Sequence, residues 1–511
     1  MNHWIIAPVI LPAFVAAFLV LAVSHDLPRQ RLVSTAATGL LLATAVGLFL
    51  LASDGTTRVY LLGNWPAPFG IVMVLDRLSA LMLLVTAVLA LAVVVYACGG
   101  WDAKGRYFHA LFQFQLMGIC GAFLTGDAFN LFVFFEVMLI ASYGLMLHGG
   151  GPYRLRAGFH YVAINLVGST LFLFAVGLIY ATTGTLNMAD IAVKARAVAE
   201  GDVALLRTGV LLLFLVFALK AALVPLHWWL PTAYAAAPAP VAALFAIMTK
   251  VGAYSIIRLH GMVFGPEAGA VANAVAPWVM PAALLTLVVG ALGALATRRL
   301  LDLVAFSVVW SMGSLLVAVG LFDAGGMAAA LYYAVHSTLA AAGLFLVADM
   351  VVQNRRHWED RLTTAPPVPR ADLLAGLFFL AAIVMAGLPP FSGFIGKLLI
   401  LEAVREAPSA VWAWGMILAT SLAVIIGFSR AGSTLFWKAE VRAEEAPPVQ
   451  DARLPAPAVL AAASMIAAAG LLTVGAGPAT DVFAATAGQI MDVRGYVGAV
   501  LGPDATIAMG R

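Results

Sequence analysis

The stretch LLLFLVFALKAALVPLHWWLP, residues 211–231, decides the fold. It is long and apolar enough to cross a bilayer, yet it contains Lys220 and, five residues later, Pro225. Proline removes a backbone donor and frees a carbonyl one turn earlier. In hydrocarbon those groups must be satisfied by neighbouring protein or by water. A second stretch behaves alike. LFFLAAIVMAGLPPFSGFIGKLLILEAV, residues 377–404, carries Gly387, Pro389, Pro390 and Gly393 ahead of Lys397. Broken apolar helices at matching positions point to an ion pathway near the membrane mid-plane.

Outward from these two, the whole chain reads as membrane protein. Of its 511 residues 63% are hydrophobic and 10% charged, against ~45–50% and ~25% in soluble domains. Fourteen apolar stretches have spanning length: 4–23, 31–52, 72–96, 107–124, 127–147, 157–181, 205–229, 239–262, 275–297, 301–321, 326–351, 371–403, 411–436 and 455–476. The breaks fall in the seventh and twelfth, five apart. That spacing predicts two five-helix repeats, stretches 4–8 and 9–13. The expected divisions are 1–106, the repeats at 107–262 and 263–437, and 438–511 with the last helix and an external tail. The run after Trp4 has no Lys or Arg ahead of it, so it reads as a retained helix and not a signal peptide.

Lys and Arg in the loops set the orientation. Loops after odd-numbered stretches hold fifteen, among them Arg154, Arg299, Arg442 and Arg453. Loops after even-numbered ones, with the tail, hold eight, among them Arg58, Arg258 and Arg511. Odd loops are therefore expected in the cytoplasm and both termini outside. Segment 187–204 is polar enough to lie at the surface, and the Gly/Ala-rich tail after about 477 reads as loosely held. The net charge of +3 without a basic tract argues against nucleic acid. Cys98 and Cys120 are too few for a disulfide framework or thiolate metal site and read as packing residues.

Five ionisable side chains fall well inside these stretches: Glu136, Lys220, Lys250, His336 and Lys397. Glu136 is about nine residues in, hence ~14 Å deep. Each central charge costs at least ~2.5–3.5 kcal/mol on insertion scales, so five in one chain call for a use. The bland readings are a structural Glu136–Lys220 ion pair, snorkelling for Lys250 and Lys397, and a hydrogen-bonded core histidine for His336. Asp127 and Asn130 open the fifth stretch, where Asp127 reads first as a helix cap. His227, two residues past Pro225, either caps freed backbone or joins the relay. Asp302, Asp349 and Glu402 lie near stretch ends and read as solvated. A lysine carries protons when burial brings its pKa near neutrality, and a nearby carboxylate reverses that. A Glu–Lys pair that separates and re-forms is thus a proton switch. The sequence holds no Walker loop, dinucleotide fingerprint, Cys/His metal spacing or nucleophile elbow, which argues against an enzyme.

At these residues the chain resembles a known family. GDAFNLFVFFEVMLIASYGLML (126–147) and ATTGTLNMADIA (181–192) resemble the D subunit of Mrp-type cation/proton antiporters. LKAALVPLHWWLPTAYAAAPAPVAALFAIMTKVGAYSIIR (219–258) and GLPPFSGFIGK (387–397) are similar to segments shared with antiporter-like subunits of respiratory complex I. The resemblance implies an all-α fold of fourteen helices, two inverted repeats and a hydrated relay through Glu136, Lys220, Lys250 and Lys397. It implies a bacterial inner-membrane assembly with A, B, C, E, F and G subunits. That assembly exchanges Na+, or sometimes K+ or Li+, for protons without a redox cofactor. Many relatives carry a histidine where Ser307 stands, and a second histidine and a lysine at Ser337 and Ala341, so the second half is poorer in titratable groups. The alternatives are a proton-pumping subunit of complex I or of a membrane-bound hydrogenase, and a passive scaffold.

Overall fold

A computed structural model describes residues 3–438 and 454–509. Arg442, Arg453 and Arg511, used in the orientation argument, lie outside them. The first part of the chain comprises α1 (Ala7–Leu21), α2 (Leu27–Ala52), a hairpin of β1 (Arg58–Leu61) and β2 (Val72–Leu75), and α3 (Arg77–Ala97). Next come α4 (Phe108–Leu124), α5 (Ala128–Met146), α6 (Pro152–Thr183), the short α7 (Met188–Lys194), α8 (Val203–Lys220), α9 (Trp229–Ala236) and α10 (Ala239–Ser255), which continues as a π-helical turn, Ile256–Val263. Then follow α11 (Ala276–Ala296), α12 (Leu300–Val319), α13 (Ala324–Asn354), α14 (Ala371–Ala386), α15 (Ser392–Ala403) and α16 (Ala410–Gly432). The chain closes with α17 (Ala456–Val474), α18 (Ala476–Met491), α19 (Val493–Leu501) and α20 (Pro503–Ala508).

Twelve helical segments among the described residues are long and apolar enough to cross a membrane, and α4 and α14 are apolar but shorter. The chain is a multi-pass, nearly all-helical membrane protein. Its centre is α10, buried along its whole length, with α13 buried along almost all of it. The outer helices turn large apolar side chains such as Phe14, Leu50, Phe159 and Trp412 outward. Exposed apolar surface on this scale suits a lipid surround.

Both expected breaks are present. Helix stops at Lys220 and resumes at Trp229, and stops at Ala386 and resumes at Ser392. The packing of the two halves also recurs at one constant interval. Gly118 and Gly121 of α4 let α5 approach at Met138 and Phe134, and Gly290 and Gly293 of α11 do so for α12 at Trp310 and Phe306. The linkers match as well. Thr125 Oγ1 accepts from the Asp127 amide, and Thr297 Oγ1 from the Arg299 amide, both at 3.2 Å. The second residue after each threonine then forms an antiparallel bridge, Asp127 with Asn187 and Arg299 with Arg361, and Thr125 bridges Met73 as well.

Four expectations change. Residues 72–75 form a strand and not the start of the third helix, because they pair with 58–61. The tail is not loose: α18 to α20 are helical and packed, with Phe483 edge-on to Tyr332 at 5.7 Å and Gln489 accepting from the Arg77 amide at 2.9 Å. Segment 187–204 contains a short helix, but Met188 to Ala192 are buried, drawn in by the Asp127–Asn187 bridge. Arg258 is not a loop residue. It lies buried in the π-helical turn, paired with Asp76 at 2.9 Å.

Candidate functional site

Lys220 is the last residue of α8, where the partial negative charge of a helix C-terminus favours a cation. The break makes that pole at membrane depth. Its freed groups are satisfied by protein: the Trp229 indole donates to the Leu219 carbonyl at 3.0 Å, and the Val224 amide donates to Thr286 Oγ1 at 2.9 Å. His227 is half-buried in the connecting segment, and its Nδ1 has no partner among the described residues. Pro225, Pro389 and Pro390 face outward.

The Lys220 ammonium donates to Asn165 Oδ1 at 2.7 Å. Glu136 accepts from Ser169 Oγ. Asn165 and Ser169 stand one turn apart on α6. Glu136 lies within electrostatic reach of Lys220, but the two form no ion pair among the described residues. Sequence reasoning missed Asn165 and Ser169. The signal was available, since two polar residues at i and i+4 in an apolar helix share a face.

Lys250 is almost wholly buried in α10, and its Nζ has no hydrogen-bond partner among the described residues. Two residues on, a Cβ at Gly252 would stand 2.6 Å from the Ala221 nitrogen. The bare glycine therefore lets α10 cross the end of α8 beside Lys220.

In the second half the Lys397 ammonium folds back onto the end of α14. It donates to the Ala386 carbonyl at 2.5 Å and to Ser421 Oγ at 2.9 Å, and it sits 4.2 Å from the Trp310 ring centroid. Gly387, at φ 70°, caps α14 in the left-handed region, and a side chain there would collide with Lys397. His336 meets the same break: its Nδ1 is 3.0 Å from Ser392 Oγ, at the start of α15. It lies within electrostatic reach of both Lys250 and Lys397. Ser337 and Ala341 are fully buried on the same helix.

Asp127 caps α5, accepting from the Asn130 amide at 2.7 Å, while Asn130 Nδ2 donates to Thr125 Oγ1 at 2.9 Å. Both belong to the capping turn, ~14 Å (Asp127) and ~9 Å (Asn130) along α5 from Glu136. Glu402 is exposed and Asp302 half-buried. Asp349 is buried and not solvated: Tyr96, Trp101 and Gln353 all donate to it.

One group of three potential metal ligands occurs among the described residues: Cys98, Asp102 and His109, within 4.8 Å of one another. Arg31 already donates to both Asp102 oxygens, at 2.6 and 2.8 Å. Burial alone would raise the Asp102 carboxyl, but the Arg31 and then the His109 hydrogen bonds outweigh it and hold it at about 2. A guanidinium occupies the place a metal would take, so this is an ion-pair cluster.

A family model described as NADH:quinone oxidoreductase/Mrp antiporter, transmembrane, matches residues 125–427, which hold both broken helices and all five central charges. The chain belongs to this family. Within it, the relatives are Mrp-type D subunits. The D subunit of a probable K(+)/H(+) antiporter from Rhizobium meliloti (strain 1021) is 44% identical, over 86% of this chain and 87% of its own length. The D subunit of the Na(+)/H(+) antiporter from Bacillus subtilis (strain 168) is 35% identical, over 86% and 88%. A chain of the Mrp complex from Dietzia sp. DQ12-45-1b superposes with a TM-score of 0.86 at 28% identity, covering 98% of this chain and 100% of that one. In this member of the family, then, the lysines at the two helix breaks rest on neutral oxygens, and Lys250 lies between the breaks with no such partner among the described residues.

Proposed function

We propose that the chain is the proton-translocating subunit of a multisubunit monovalent cation/proton antiporter. The observation that carries this reading is the state of Lys220, Lys250 and Lys397. All three are buried, and none is paired with a carboxylate among the described residues. A buried ammonium without a counter-charge is the form most ready to give up its proton. Glu136 stands near Lys220 but is held off by Ser169. Approach of Glu136 re-charges Lys220, and withdrawal releases a proton toward Lys250. His336 then carries it to Lys397.

The reading extends to organisation. Residues 107–262 and 263–437 act as two inverted repeats, each with one break in its fourth helix, and the constant interval of glycines and linkers supports that division. The chain works in the bacterial inner membrane with the other Mrp subunits, both termini outside, as a transporter component and not an enzyme. The relatives' names set K+ and Na+ as the cations to test.

Glu136→Gln and Lys220→Ala are each expected to abolish cation-dependent proton flux in vesicles while membrane insertion stays normal. Near-normal exchange in either variant would make the Glu136–Lys220 relation purely structural and remove the basis of the relay.

A further inference from the structure

A cavity of about 370 Å³ lies where the two halves meet. Its walls come from the start of α6 at Arg154, from α9 at Tyr234, from α10 at Ala242, from the start of α12 at Arg299 and from α13 at Asp349. None of the five relay residues lines it.

Asp349 is 6% exposed there. Its hydrogen bonds all fall on Oδ2: from Tyr96 at 2.6 Å, Trp101 at 2.7 Å and Gln353 at 2.5 Å. These donors are neutral, and among the described residues nothing donates to Oδ1. Asp349 makes no ion pair among the described residues, although Lys104 and Arg154 are within electrostatic reach. The Arg154 guanidinium is turned to the carbonyls of Ala236, His148 and Gly150. The Lys104 ammonium lies over the Trp101 ring, 3.3 Å from its centroid. The remaining charged groups on the wall are Arg299, Glu359 and Asp360, with Arg299 and Asp360 paired at 3.0 Å. A buried carboxylate with no basic partner in contact is expensive unless it takes up a proton or a cation.

The cavity also points somewhere. Ala242 and Lys250 share α10, two turns apart, ~12 Å. Tyr234 and Phe345 line the cavity with their ring centroids 6.2 Å apart. We propose that Asp349 is the proton-loading carboxylate of an aqueous mouth that feeds Lys250. Water in the cavity gives a proton to Asp349 Oδ1, and that proton passes inward to the neutral Lys250 amine, leaving the carboxylate free to load again. The inference rests on the antiport reading.

The test uses the assembled complex in inverted vesicles. Asp349→Asn should lower cation-dependent proton flux at least tenfold at every pH from 6 to 9. Asp349→Glu should keep flux within about twofold and shift the pH midpoint. Wild-type flux and pH profile in Asp349→Asn would overturn the proposal. So would recovery of that variant on raising the cation tenfold, because Asp349 would then be a cation ligand. Should Asp349→Asn fail to assemble, Ala239→Cys and Val352→Cys, made with Cys98 and Cys120 replaced by serine, decide the matter. A charged, membrane-impermeant thiol reagent should label both and block flux, and failure to label either overturns the mouth. Lys250→Ala separates the two readings. Lost flux there with intact flux in Asp349→Asn leaves antiport standing and removes only the mouth. Absence of cation-dependent flux from wild-type vesicles overturns antiport itself, and this inference with it.

Discussion

His336 is the residue on which the second half of the proposed relay turns. It is a buried titratable side chain within electrostatic reach of both Lys250 and Lys397. Its Nδ1 partner is the Ser392 hydroxyl and not a backbone carbonyl. A carbonyl only accepts and would fix one tautomer. A hydroxyl donates or accepts as required, so either tautomer is accommodated. His336→Ala is therefore expected to cripple exchange, and Ala341→Lys in that background to restore part of it, because a lysine there stands one turn and a half along α13. Cation-driven proton flux across pH 6–9 checks this, and a wild-type rate in His336→Ala would mean that water alone carries the proton. The five central charges were legible in the sequence because each interrupts an apolar run. Their partners Ser392 and Ser421 were not, because a lone serine costs little in a helix and leaves no comparable mark, and Asn165 and Ser169 were marked only by their shared face on α6.

At the scale of elements, the breaks at Lys220 and Ala386 put helix C-termini inside the membrane: Lys220 is itself the last residue of one, and the Lys397 ammonium rests on the other. A third device holds the framework. The π-helical turn after α10 carries Arg258 against Asp76, the cap of α3, with Tyr254 and Tyr496 around the guanidinium. Removing one partner of such a buried pair strands a charge and costs ~3–5 kcal/mol, whereas apolar replacement of both is often close to neutral. Arg258→Met should thus lower the melting temperature of the detergent-solubilised chain well below that of the double variant Arg258→Met with Asp76→Leu. Equal melting of single and double variants would remove the pair's role in joining α3 to α10. The sequence placed Arg258 in a loop because it sits near the end of an apolar run. Only pairing with a residue far away in the chain keeps it inside.

Across the whole molecule, α18 and α19 close one side by packing Phe483 on Tyr332 and setting Tyr496 over Arg258. A chain ending at Gly475 should insert but melt at a lower temperature and assemble poorly with partner subunits, measured by thermal denaturation and by the yield of complex. Unchanged melting would make these helices peripheral. Composition determined the bilayer as solvent, the proline and glycine breaks determined where helices stop, and charges within apolar runs marked the candidate relay. Those readings rest on local chemistry, since hydropathy and backbone donors belong to short segments of chain. The tertiary structure alone decided the rest. It set Glu136 off from Lys220 through α6, drew Asp349 and Arg258 inward, made residues 72–75 a strand and turned the tail into packed helices. Each of these depends on a partner from another part of the chain, and local composition carries no information about which partner that is.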